Sequence, residues 1–301
     1  MNVGVVGGSG FIGSHLVDKL LKRGHDVTVF DIMKPHQNDV RYIYIDIMDL
    51  SKTTVALTGY YDVIYMLAAM ANVNDVHRNP VQAAEVNVLG VANVLEAAHR
   101  NEIDRVILAS TVWVYGAALE KEVHENTPLL PSKMDHVYTS TKIAAELYCH
   151  GYHNLYGQNF TILRYGIPYG PRARGGSVIA AFVKNAMEGK PLTIHGDGSQ
   201  YRNFIYVEDL AEGNVAALKD IAKNKTYNLE GMRKVTVKEV AETVKKLMGD
   251  VKIEYKEARP GDFEGKIVSN AKSKSELGWE PKVDFEEGVK RYIDWYKENV
   301  K

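Results

Sequence analysis

The sequence predicts an α/β protein, a doubly wound parallel sheet with a smaller C-terminal α+β domain. Three observations predict it. In the first half, short β-branched runs alternate with segments that are apolar at helical spacing, and such alternation builds a parallel sheet covered by helices. The first strand-to-helix junction carries glycines at G-x-x-G-x-x-G spacing. After "GIPYGPRARGG" the alternation breaks into clustered glycines, prolines and arginines, and shorter elements follow.

The elements follow in order. "NVGVVG" reads as a strand, "FIGSHLVDKLLKRG" as a helix stopped by Gly24, and "DVTVFD" as the second strand. "VRYIYID", "DVIYML" and "RVILAS" are the next strands, with the helix "VQAAEVNVLGVANVLEAAHR" between the last two. "YTSTKIAAELYCHGYHNLYG" is a further amphipathic helix and "FTILRYG" a further strand; "NFIYV" and "TYNLEG" are strands expected to rejoin the first unit. The expected division is 1–167, rejoined by parts of 204–230, and 168–301.

Composition excludes several classes. A chain of 301 residues builds a large core, and a formal net charge of -1 gives no electrostatic case for nucleic acid or an anionic membrane. The longest apolar run, "VIYMLAAMANV", is too short to span a bilayer. The single Cys149 leaves no internal disulfide, and the N-terminal stretch has no charged leader, so a cytoplasmic location is expected. The sequence shows no internal repeat and no low-complexity segment.

The glycine junction calls for small residues. Gly7 permits the tight turn, Gly10 lets the backbone approach a pyrophosphate, and Gly13 lets helix and strand pack closely. The helix N-terminus then offers free N–H groups and a positive dipole end to phosphates. Asp31 closes the second strand, where a carboxylate binds a ribose diol and repels a 2′-phosphate. That favours NAD over NADP, with Lys34 close by as a moderating charge. Asp46 after the third strand is placed for the adenine amino group. A Rossmann-type dinucleotide site is the expectation.

"YTSTK" sets Tyr138 and Lys142 four apart on one helix face. A lysine ammonium and an oxidised nicotinamide ring would together lower a phenol from ~10 towards neutrality and make Tyr138 a general base. With 18 tyrosines in the chain, this spacing alone reads as readily as a solvated helix face.

The further motifs decide the matter. With the glycine loop, Asp31, "LAA" at 67–69, "ST" at 110–111 and "YTSTK", the chain resembles the extended short-chain dehydrogenase/reductase family. "LRYGIPYGPR", "GDGSQYRNFIYVEDLAEG" and "RPGD" at 259–262 resemble motifs of its nucleotide-sugar epimerase branch, across nearly the whole chain. The resemblance implies an NAD-binding Rossmann domain and a nucleotide-sugar-binding domain, with Thr111, Tyr138 and Lys142 catalytic. It implies NAD contacts at Gly7, Gly10, Phe11, Ile12, Gly13, Asp31, Asp46, Ile47, Leu67, Ala68, Ala69, Ser110, Tyr138 and Lys142. Substrate contacts would fall on Asn72, Thr111, Tyr138, Arg202, Arg259, Asp262 and Lys266. Arginines suit a diphosphate because they give bidentate, charge-assisted hydrogen bonds. Asn87 would either tie strand ends together near the site or serve packing alone. No metal is expected, and the family implies a homodimer through the two long helices.

Dehydratases of the family follow the catalytic Thr with Asp-Glu, and the related decarboxylases keep the Glu. Here Val112 and Trp113 stand there, and neither can shuttle a proton. The resemblance then implies reversible hydride transfer at C4 of a UDP-sugar, UDP-glucose/UDP-galactose or the N-acetylated pair. An NAD(P)H-dependent nucleotide-sugar reductase and a non-catalytic dinucleotide-binding regulator stay open as alternatives. Two departures stand out: Ile167 replaces the family's Asn, and Met66 its His. Lys266 occupies the position that abuts the hexose; its side chain either reaches solvent or faces the sugar, where it would admit N-acetylhexosamines and hexuronates.

Overall fold

The computed structural model describes residues 1–134, 136–173, 175–249, 251–257 and 266–300. Its centre is a seven-stranded sheet. The first five strands are β1 (Asn2–Val6), β2 (Asp26–Asp31), β3 (Arg41–Tyr44), β4 (Val63–Met66) and β5 (Arg105–Thr111). β6 (Glu122–Val123) lies outside this sheet, while β7 (Asn159–Tyr165) belongs to it. The remaining strands are β8 (Ile167–Tyr169), β9 (Leu192–His195), β10 (Tyr201–Arg202), β11 (Phe204–Tyr206), β12 (Lys225–Leu229), β13 (Val235–Thr236), β14 (Ile253–Lys256) and β15 (Ile267–Val268).

The sheet runs β12-β7-β5-β4-β1-β2-β3, every pair parallel. The order reverses at β1, between β2 and β4, and such a switch point opens a crevice at the carboxyl ends of the strands. Helix α1 (Phe11–Lys22) covers one face with Leu16, Val17 and Leu20, beside α8 (Val207–Ala216). The opposite face is covered by α5 (Gly90–Arg100) and α6 (Val137–Tyr156), through Val91, Val94, Leu95, Ala145 and Cys149. Alternate strand residues feed the two cores: Val63 and Tyr65 enter one, Ile64 and Met66 the other. Both faces are therefore dry, which is why these strands read as continuous apolar runs.

A third core gathers α7 (Val178–Met187), α9 (Val237–Met248) and α10 (Phe285–Asn299) around β8, β9 and β11. β12 joins the sheet beside β7, while β11 pairs with β8 in a separate two-stranded ribbon and places Ile205 in the core beneath α1. β7 offers one free edge, β12 takes it, and β8 has already left the sheet past Gly166. Among the described residues no helix is long and apolar enough to cross a membrane, and no cluster of side chains could hold a metal ion.

Candidate active site

The glycine loop sits at the carboxyl end of β1. Gly7 has φ +85, and a Cβ there would stand 2.4 Å from the Ala68 nitrogen. A Cβ on Gly13 would meet the Gly7 carbonyl at 2.2 Å, so these two glycines are required by packing. Gly10 differs, since its Cβ would meet only the Gly7 oxygen, at 3.2 Å. Its bareness leaves open space above the backbone. Gly10 is also the N-cap of α1 and carries no capping side chain, so the first amide groups of the helix point into that space.

Asp31, the last residue of β2, accepts the Ser9 N–H at 3.0 Å and the Met33 N–H at 3.0 Å. The carboxylate is thereby pinned against the glycine loop. Asp46 accepts the Met48 N–H at 3.1 Å, and Ile47 packs into the core above α5. Leu67 and Ala68 both donate their amides to the Val6 carbonyl, at 2.8 and 3.1 Å, which lays "LAA" along the loop. Phe11 meets His15 edge-on, and Ile12 packs on the core beneath α1. Lys34 is exposed. A cradle with one bare glycine, free helix amides and an oriented carboxylate fits a dinucleotide.

Thr111 ends β5, and its hydroxyl oxygen accepts the Trp113 N–H at 3.2 Å, capping the short turn Val112–Tyr115. Tyr138 and Lys142 stand in the first turns of α6 beneath it. The Tyr138 ring meets Trp113 edge-on with centroids 6.4 Å apart. Lys142 is buried and donates to the Ala109 carbonyl at 3.0 Å. Burial pushes the Lys142 ammonium down to about 8, against the pull of the Glu146 charge. Burial also pushes the Tyr138 phenol up to about 12. The expected lowering of the phenol calls for the oxidised nicotinamide ring as well as the lysine; in the protein alone desolvation acts in the other direction, and the Lys142 ammonium is bonded to Ala109.

Asn87 settles the choice left open for it. Its side chain accepts the Met70 N–H and donates to the Met70 carbonyl and to Thr141 Oγ1, at 2.8, 3.0 and 3.1 Å. It ties the loop after β4 to the first turns of α6. The Ser110 hydroxyl donates to Glu146 Oε1 at 2.5 Å. Of the two roles open to Ser110, a neighbouring cofactor contact or a structural one, its hydroxyl serves the structural one. Glu146 also takes Arg164 Nη2 at 2.6 Å and Nε at 3.0 Å, while Arg164 Nη1 donates to the Tyr115 hydroxyl at 2.7 Å. Sequence reading missed this network, although Arg164 inside an apolar strand and Glu146 four residues after Lys142 both signalled a buried partner.

A hollow opens beside the Thr111 turn, lined in part by Val112, Trp113, Ile167, Arg202, Glu230 and Lys266. Arg202, on β10, donates to the Tyr201 carbonyl at 2.7 Å. Lys266 is half-buried and donates to the Ala118 and Glu120 carbonyls at 2.7 and 3.3 Å. The pairing of β15 with β6 carries it there. It neither swings freely to solvent nor presents an unused ammonium to the hollow. Asn72 caps the turn Val73–Arg78, accepting the Asn74 and Asp75 amides at 2.9 and 3.3 Å. Arg259 and Asp262 lie outside the described residues.

Known proteins carry the same frame. The chain is 34% identical over 306 residues to a putative UDP-glucose 4-epimerase of Methanocaldococcus jannaschii, covering 98% of each. It is 33% identical over 314 residues to a UDP-N-acetyl-alpha-D-glucosaminuronate decarboxylase of Bacillus cytotoxicus, covering 98% of this chain and 97% of that protein. The crystal structure of a UDP-glucose 4-epimerase with UDP-glucose from Thermotoga maritima superposes with a TM-score of 0.90 at 30% identity, covering 100% of both chains. The family model for NAD dependent epimerases and dehydratases matches residues 3–229, and the chain belongs to that family.

Proposed function

We propose that this protein is a UDP-sugar 4-epimerase that holds NAD at the glycine loop and Asp31. The observation that carries the reading is the pair Val112 and Trp113, set in the turn capped by Thr111 beside Tyr138 and Lys142. Tyr138 takes the proton of the sugar 4-hydroxyl and later returns it. Thr111 hydrogen-bonds the same oxygen and steadies its developing charge. Lys142 supplies positive charge next to the phenol from a dry site. The oxidised dinucleotide supplies the hydride acceptor at C4 and a further positive charge that favours the phenolate. Val112 and Trp113 can neither donate nor accept a proton, so elimination and acid-assisted decarboxylation lack a partner. We assign the dinucleotide to residues 1–167 with β12, and the sugar nucleotide to the hollow and the third core.

The test is product analysis by NMR with a panel of UDP-sugars and no added cofactor. The C4 epimer should form from at least one UDP-hexose, UDP-N-acetylhexosamine or UDP-hexuronate. A 4-keto-6-deoxy sugar, a pentose, or turnover only with added NAD(P)H would replace the reading with dehydration, decarboxylation or reduction.

Cofactor choice rests on Asp31. Calorimetry should show NAD+ bound in preference to NADP+, and Asp31→Ala should narrow the gap by about tenfold, since one carboxylate's repulsion and two hydroxyl contacts are removed. Tighter NADP+ binding by the wild type would contradict this.

We also propose a homodimer through α5 and α6. Leu147, Tyr148, Leu155 and Tyr156 on α6 and Leu89 before α5 are exposed, more apolar surface than two solvent-facing helices need. Light scattering at micromolar concentration should give twice the 33.6 kDa chain mass. A monomer mass would rule the pairing out.

A further inference from the structure

Among the described residues the hollow beside Trp113 is lined by one carboxyl group, and it belongs to a residue with no part in the chemistry above. Glu230 directly follows β12 and is 3% exposed. Asn270 clamps its backbone from both sides, accepting the Glu230 N–H at 3.0 Å and donating to the Glu230 carbonyl at 2.9 Å. The side chain lies over Gly166, where a Cβ would stand 1.9 Å from Glu230 Oε1. A side chain at Gly166 would have to push the carboxyl out of this position. The position is therefore built, by a clamp on one side and a missing side chain on the other.

The carboxyl accepts the Gly231 N–H at 3.0 Å. Arg202 and Lys266 are the charged groups that face the hollow with it, from β10 and from the residue before β15, while Val112, Trp113, Ile167 and Val268 bring none. The Lys266 ammonium is bonded to the Ala118 and Glu120 carbonyls. Burial pushes the Glu230 carboxyl up to about 8, with the Gly231 hydrogen bond opposing. Asn203 also lines the hollow, and its Oδ1 is buried without a hydrogen-bond partner. A buried acceptor left unmade costs about 1–3 kcal/mol. A carboxylic acid and an orphaned acceptor lining one hollow together suit a ligand that both accepts and donates.

We propose that Glu230 and Asn203 form a ligand-contacting pair for the bound nucleoside diphosphate sugar, the Glu230 carboxyl donating to a ligand oxygen and Asn203 Oδ1 accepting from a ligand hydroxyl or N–H. This rests on the sugar-nucleotide reading above and adds two specificity-determining residues to it. The bound form requires the acid. Affinity is then full below the carboxyl's titration and falls as pH rises through it, by about tenfold between pH 7 and pH 9 for a group titrating near 8.

The test is calorimetric titration of the full chain with UDP and UDP-glucose at pH 7 and pH 9, for wild type, Glu230→Gln, Glu230→Leu and Asn203→Ala. The wild type should lose about tenfold in affinity between the two pH values. Glu230→Gln, a neutral donor at every pH, should bind within a few-fold of wild type at pH 7 and lose the pH dependence. Glu230→Leu and Asn203→Ala should each weaken binding about tenfold at pH 7. The unliganded proteins give a second readout that needs no ligand. The wild-type thermal midpoint, relative to Glu230→Gln, should fall as pH rises from 5 to 8, because the neutral acid is the form the fold accommodates. Wild-type affinities and pH profile retained by Glu230→Gln and Glu230→Leu overturn the pair. A wild type that binds neither ligand overturns the pair and the sugar-nucleotide reading together, whereas binding with unchanged variants overturns the pair alone.

Discussion

Replacing Tyr138 with Phe is expected to cut turnover by about a hundredfold or more while the protein keeps its dinucleotide. The substitution removes one hydroxyl and leaves the ring against Trp113, so packing of α6 on the turn after β5 is preserved. What disappears is the hydroxyl proposed to move the 4-hydroxyl proton. The pH profile separates this role from a structural one. Desolvation holds the phenol up at about 12 and Lys142 down at about 8 in the protein alone, so the phenolate is the scarce form at neutral pH. Wild-type turnover should therefore rise with pH until the phenol in the ternary complex ionises, and Tyr138→Phe should lose that rising limb. Thr111→Val should show a comparable loss with the limb retained. Near wild-type turnover in Tyr138→Phe, measured with cofactor content checked, would remove it as the base.

The second large effect is on stability. Glu146→Leu is expected to destabilise the fold by about 3–5 kcal/mol, because it leaves Arg164 as an uncompensated charge in the core. The Arg164 and Glu146 side chains are 7% and 5% exposed and meet at 2.6 Å. The same carboxylate takes the Ser110 hydroxyl, and the same guanidinium takes Tyr115, whose hydroxyl donates to Asn228 at 2.9 Å. One pair thus holds β5, α6, β7 and β12 together. Denaturant titration should show the midpoint falling steeply, and less so in Glu146→Gln, which keeps hydrogen-bonding capacity. A loss below about 1 kcal/mol for Glu146→Leu would mean that Arg164 finds another partner or water.

The strands and helices of the first half were legible because their signals are local. A β-branched run such as "RVILAS" has both faces buried, and Gly24, at φ +74, stops α1 where the sequence places its end. The glycine loop was legible for the same reason: Gly7 and Gly13 are dictated by neighbours a few residues away or one strand over. Lys266 was harder. Its position relative to Asp262 suggests a sugar contact, but β15 pairing with β6 delivers its ammonium to two carbonyls of a segment about 146 residues earlier. Phe204–Tyr206 reads like any short strand, and only competition for the single edge of β7 decides that it pairs with β8.

By itself the sequence determined the parallel sheet and the dinucleotide cradle, and its resemblance to a family pointed to the Thr-Tyr-Lys set and to Val112 and Trp113 where a proton shuttle would stand. Periodicity and chain-local turns carry the first two, and each is fixed by short stretches. Tertiary structure alone decided that Tyr138 loses water against Trp113, that Ser110 serves Glu146, and that Glu230 stands over Gly166 in the hollow. These depend on which groups lose water and which distant side chains fill the same space. Burial and long-range pairing are properties of the folded chain, and no window of sequence contains them.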